Sequence, residues 1–300
     1  MKHSLSITLI ILGIFLLAQF IGLGILYKYI DPIKSQETGE TEFKDLPIGE
    51  RPPVDEKTSF IPVIIAVIIG TVILLLLMKY KLALIWKLWF LIAVVISLTV
   101  AWGILMRVEL ALLLAIILGA WKIFKPNVWV HNFTELFIYG GLAAIFAPLF
   151  NLLSISILLI LIAGYDAYAV WKSKHMVTLA RSQAEAKVFA GLLIPYKLGK
   201  LIKKTKVPGE KTPIGISLPK MKVRTAILGG GDIGFPLIFA GVVLKEWGLW
   251  QSLIIPFFAL AGLALLLYYA EEKKFYPAMP FISAGCLVGL GVVGAMGYLF

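Results

Sequence analysis

Long apolar runs separated by short polar clusters set the first expectation for this chain. The runs are apolar on every face, not alternating, which predicts membrane-crossing helices and argues against spanning strands. A bilayer core of about 30 Å needs about twenty such residues. Runs of this kind lie near 4–27, 59–78, 84–106, 108–124, 133–150, 152–171, 223–244, 249–270 and 277–299. The fourth and fifth are short. Only Ala147-Pro148-Leu149-Phe150-Asn151 separates the fifth from the sixth, and proline there favours a tight turn over one long helix. Lys2 and His3 precede the first run as in a signal peptide. That run exceeds the roughly 7–15 apolar residues of a signal core, and no clear small-residue cleavage site follows, so it reads as a retained span. The expected fold is an all-α membrane protein of about nine transmembrane helices.

Composition agrees. The 300 residues are 60% hydrophobic and 15% charged, with a mean hydropathy of +0.94. A soluble domain carries about 25% charged residues. The single cysteine, Cys286, excludes intrachain disulfides and thiol metal sites. His3, His131 and His175 sit near span ends without metal-ligand spacing, so neither a metal nor a cofactor is expected.

Charge then orients the spans. Between the sixth and seventh runs lie thirteen basic residues, from Lys172 to Arg224, against only Glu185 and Glu210. The positive-inside rule places this segment in the cytoplasm. With nine spans the N-terminus is also cytoplasmic and the C-terminus external. The acidic stretch near 28–58 then falls outside. Topology and contact with anionic lipid account for the net charge of +11, so no nucleic acid is implied. The chain divides into a six-span part (1–174), a basic cytoplasmic loop (175–222) and a three-span part (223–300).

Most acidic residues fall in loops or at span ends, and Glu109 and Glu135 read that way too. Asp166 and Asp232 do not. Asp166 lies six residues before Lys172, and Asp232 eight residues after Arg224. At 1.5 Å per residue these are about 9 Å and about 12 Å of helix. A carboxylate near a span centre costs about 2.5–3.5 kcal/mol on insertion scales, which makes both functional candidates. The sixth span descends to the cytoplasmic side and the seventh climbs from it, so the two acids share a depth. Two carboxylates in one low-dielectric site share a proton. In that state one activates water while its protonated partner polarises a carbonyl. The pair titrates as a unit, so the sequence does not say which acid plays which part. Gly229, Gly230 and Gly231 before Asp232 permit close helix approach or a locally unwound backbone. They also fit the ordinary abundance of glycine in membrane helices.

These residues carry a resemblance. Gly164-Tyr165-Asp166 resembles the YD motif of the presenilin and signal-peptide-peptidase family of intramembrane aspartyl proteases. Gly229-Gly230-Gly231-Asp232 is similar to its GxGD motif, and Pro277-Ala278-Met279-Pro280 to its PAL motif. The order of the motifs and the long loop between the first two match as well. The one departure is Met279 where the family carries leucine, a swap of similar volume. The resemblance implies an intramembrane endopeptidase with Asp166 and Asp232 as its catalytic pair. Pro277, Ala278 and Met279 would shape the site, with Tyr165 and the three glycines beside it. Pro277 and Pro280 would equally serve to start a helix. The resemblance further implies transmembrane peptide or protein substrates met in the lipid bilayer. Short loops suggest that accessory subunits are not required. An N-terminus inside resembles the presenilin branch. In the loop, 213–219 reads as either an edge strand for an unwound substrate or a linker, and 188–202 as a surface-lying segment.

Other readings remain open from residues alone. A proton-coupled transporter would also use two buried acids, but it should show repeated halves. A prepilin-type peptidase also has a GxGD motif, but it should lack the PAL-like final span. A scaffold leaves the two aligned aspartates unexplained.

Overall fold

The computed structural model describes residues 5–80, 82–173, 189–195, 225–271 and 276–299. The 213–219 stretch and most of the 175–222 loop lie outside them. Ten α-helices and one strand pair follow in order. In chain order the helices are α1 (Leu5–Tyr29), α2 (Pro32–Thr38), α3 (Phe60–Lys79), α4 (Ala83–Gly103), α5 (Val108–Phe124), α6 (Val128–Phe146) and α7 (Leu152–Tyr168). Then come β1 (Gly191–Pro195), β2 (Thr225–Gly229), α8 (Gly230–Trp247), α9 (Leu249–Tyr269) and α10 (Met279–Leu299).

Every expected span has its helix, so the all-α membrane architecture stands. Among the described residues, seven helices are long and apolar enough to cross a bilayer. The two short of that measure are α5, with 17 residues, and α8, with 18 residues and three charges. Asn151 separates α6 from α7. Its side chain accepts the Ser154 N–H while the Ser154 hydroxyl accepts the Asn151 N–H, a closed capping box. A short 3-10 turn, Ala147–Leu149, carries Pro148 just before it. The tight-turn reading was therefore right.

Three expectations need correction. The seventh span does not begin as helix at 223, because 225–229 form strand β2 and the helix starts at Gly230. Residues 191–195, read as part of a surface-lying segment, pair antiparallel with β2, with Gly191 opposite Gly229 and Leu193 opposite Ile227. The fifth span starts at Val128, not 133, which draws His131 into the helix and moves Glu135 away from its first turn.

The core is organised around α8, which packs against α1, α6, α7, α9 and α10. Small residues make this possible. A Cβ on Gly22 would meet Leu237, and one on Gly141 would meet the Ser97 carbonyl. Helices α9 and α10 close on each other through Gly262 and Gly285 in the same way. By contrast α3 packs mainly on α4 and α7, and only 6% of its span is buried within the protein. Its apolar surface belongs to lipid.

The polar stretch between α1 and α3 is folded back on the helix ends. Asp31 caps α2, and Ile30 bridges Phe43. Arg51 donates to the carbonyls of Ala144 and Lys44. Glu56 pairs with Lys245 at the end of α8 at 2.5 Å, and Lys245 also donates to the Phe150 carbonyl at 3.2 Å.

Candidate active site

Asp166 lies in the last turn of α7, just ahead of a π-helical turn at Ala169–Ser173. Its carboxylate is 6% exposed, and Oδ2 accepts the Met279 N–H at 3.1 Å. The Ala278 N–H donates to the same side chain. The PAL-like segment thus meets Asp166 through its backbone. Pro277 leads in and Met279 opens α10, where a free N–H is available because a helix's first amides have no partner within it.

Asp232 occupies the first turn of α8, where the helix dipole favours a negative charge. Gly229 is the residue capping that helix, and its N–H donates to the Asp232 side chain. The acid reaches back over its own helix start, as in one half of a capping box. A Cβ on Gly229 would come within 3.0 Å of Oδ2. The carboxylates of Asp232 and Asp166 interact electrostatically across the gap between α8 and α7. The two acids singled out in the sequence are brought together.

Helix α8 is adapted just beyond Asp232. Pro236 supplies no N–H, so the Asp232 carbonyl lacks its helical donor. The neighbouring Ile233 carbonyl is met instead from α1, where the fully buried Gln19 donates to it at 2.9 Å. Gln19 passed unnoticed in an uncharged apolar run. A lone amide among twenty apolar residues was its available signal.

The other expected residues divide. Gly230 donates its N–H to the Ala190 carbonyl at 3.1 Å, tying the start of α8 to the approach of β1. A Cβ there would lie 3.1 Å from the Tyr139 hydroxyl, and one on Gly231 would meet Phe235 at 3.6 Å. Tyr165 is 45% exposed on the helix surface. Tyr139 of α6, 3% exposed, is the tyrosine packed against Gly230 and Gly234.

Glu135 is the largest correction. It is not a span-end residue: it is 1% exposed within α6, ion-paired to Lys122 of α5, and accepts the Tyr139 hydroxyl. Its partner Lys122 is buried as well, at 3% exposed. A 131, 135, 139 spacing on one helix face was the signal, hidden when the span was begun at 133.

A polytopic helical membrane protein with two acids in electrostatic reach of each other, one beside a proline-led amide pair, has the layout of an aspartic protease built in the membrane. Residues 40–297 match the family described as Signal-peptide peptidase, presenilin aspartyl protease, and the chain belongs to that family. It is accordingly a hydrolase of the intramembrane aspartic type. Among solved structures it is similar to a presenilin family intramembrane aspartate protease in a C222 crystal form. The identity is 20%, covering 96% of this chain and 99% of the other, with a TM-score of 0.61. A structure of a presenilin family intramembrane aspartate protease in a P2 form aligns at 20% identity over 97% of each chain, with a TM-score of 0.58. No curated protein matches.

Proposed function

We propose that Asp166 and Asp232 are the catalytic pair, and that they hydrolyse peptide bonds inside transmembrane segments of protein or peptide substrates. The observation that carries this is the convergence of α7, α8 and the start of α10, with the Met279 amide on one carboxylate and the second carboxylate in electrostatic reach of it. One acid, ionised, takes a proton from water, whose oxygen attacks the substrate carbonyl carbon. The other, protonated, donates to the carbonyl oxygen. Collapse breaks the C–N bond, and the amine leaves with a proton returned through the pair. The Ala278 and Met279 amides hold Asp166 in place without adding charge.

A helical substrate must be unwound first. Strand β2 supports a route: among the described residues its outer edge has no strand partner, and it runs directly into Gly229 and Asp232. An extended segment adding there would bring its peptide bonds to the carboxylates. The protein works in the bilayer with its N-terminus and the 175–222 loop in the cytoplasm, its C-terminus outside, and no obligatory accessory subunit. Cysteines placed in 175–220 should be protected from an external, impermeant thiol reagent. Labelling from outside would reverse the orientation.

The deciding experiment is cleavage of a single-span peptide by the purified, detergent-solubilised protein, with Asp166→Ala and Asp232→Ala alongside. Cleavage within the apolar segment, lost in both variants, is the expected result. Cleavage that survives either substitution would sink the assignment.

A further inference from the structure

Four buried polar side chains and a half-buried fifth, Asn132, cluster outside the carboxylate pair around the α6 end nearest the strands. Lys122 comes from α5, and His131, Asn132, Glu135 and Tyr139 from α6. His131, Glu135 and Tyr139 recur at four-residue intervals and share one face, with Asn132 beside them. Burying an ion pair here costs desolvation that its Coulomb attraction barely repays, so stability alone does not explain Lys122 and Glu135.

The partners of these groups indicate their task. The Asn132 amide donates to the Leu193 carbonyl at 2.7 Å and accepts the Leu193 N–H at 2.9 Å. One side chain thereby fills both hydrogen-bonding positions that a third strand would use on the outer edge of β1. The His131 ring donates through Nε2 to the Gly191 carbonyl at 2.6 Å, and Phe189 stacks on that ring at 6.4 Å between centroids. Glu135 receives both Lys122 and the Tyr139 hydroxyl. That hydroxyl lies where it would meet a Cβ on Gly230. Strand β1 in turn pairs with β2 through Gly191 and Gly229, and the Ala190 carbonyl holds the Gly230 N–H. The contacts run without a gap from Lys122 to the two residues that open the helix of Asp232.

We propose that Lys122, His131, Asn132, Glu135 and Tyr139 form a positioning cradle. It seats β1 on α6, fixes the turn at Gly229 and Gly230, and so sets the approach of Asp232 to Asp166. The catalytic half of this inference rests on the reading of Asp232 given above; the seating of β1 does not. Glu135 is the hub. It accepts from the Lys122 ammonium and the Tyr139 hydroxyl together, so one side chain ties α5 to the face of α6 that meets Gly230.

The test uses the full chain in lipid nanodiscs and two readouts. One is amide exchange over 189–195 and 225–231, and the other is kcat and KM on a single-span peptide. Asn132→Leu should speed exchange at 191–195 at least about tenfold, because both side-chain partners of Leu193 are lost. Its kcat should fall at least about tenfold, with KM within about threefold, the signature of a displaced reacting group. Lys122→Met with Glu135→Leu should lose kcat similarly. Lys122→Met with Glu135→Gln, equally uncharged but still able to accept from Tyr139, should return to within about threefold of the parent. Rates are taken per folded, monodisperse protein. Unchanged exchange in Asn132→Leu would overturn the cradle, as would equal kcat losses in the two double variants. A parent protein that cleaves nothing would instead count against the carboxylate reading, and the exchange readout would still decide the seating of β1.

Discussion

Two acidic sites are buried in this protein, and they are built on opposite terms. Glu135 is matched by Lys122 and accepts the Tyr139 hydroxyl. Asp166 and Asp232 have no cation within ion-pair distance among the described residues and are served by backbone N–H groups of Met279, Ala278 and Gly229. A carboxylate paired with lysine and a tyrosine hydroxyl ties three side chains together and holds geometry. Two carboxylates within electrostatic reach of each other and without a cation favour a single shared proton, the state that the proposed chemistry uses. The lesson is that depth in the membrane does not by itself mark a catalytic acid; the sign of its nearest charge does.

The strongest way to break this contrast is at the unpaired acids. Asp166→Ala or Asp232→Ala should cost at least about a thousandfold in kcat, in line with the loss of any member of a concerted catalytic group. Thermal unfolding in detergent should show little or no loss of stability, because no ion pair is broken. The paired acid should behave the other way. Lys122→Met alone strands Glu135 and should destabilise by about 3–5 kcal/mol, with much of that recovered when Glu135→Leu is added; a melting comparison of the three proteins reads it. A subtler probe is Met279→Pro. Proline is tolerated at a helix start but brings no N–H, so the fold should survive while Asp166 loses a donor and kcat drops by about tenfold. Met279→Leu, in contrast, should change stability by less than about 1.5 kcal/mol and leave cleavage nearly intact. The smallest effect belongs to the Glu56–Lys245 pair, whose Glu56 side chain is 44% exposed. Glu56→Gln should cost no more than about 1 kcal/mol, and less at high salt.

Much of this layout was legible because lipid imposes a blunt rule: spans must be long and apolar, so charged residues inside them stand out. Asp166, Asp232 and the proline turn at 147–151 were read on that basis. The misses share one physical cause. Hydropathy counts residues against lipid, but the polar residues of α6 face other protein, where a hydrogen-bonding partner removes the cost. Glu135 looked like a span-end charge because its partner, Lys122, stands thirteen positions back in the sequence, across a turn. Strand β2 was taken as helix since Thr225–Gly229 is a short apolar run with no period of its own. Its pairing partner lies more than thirty residues back, and no local pattern reports that.

The central position of α8 also bears on how the chain enters the membrane. Of the nine spans it is the one most enclosed by other helices, and it opens with two glycines and Asp232 and closes with Lys245 and Glu246. Such a segment partitions into a bilayer weakly by itself, since its glycines and its charges at both ends shorten the apolar stretch that drives insertion. During biogenesis α8 therefore depends on helices already made. Gln19 of α1 donates to its Ile233 carbonyl, and α6 and α7 flank it. Synthesis order supplies these helices first, so the helix of Asp232 is inserted into a slot that the preceding six spans have already lined.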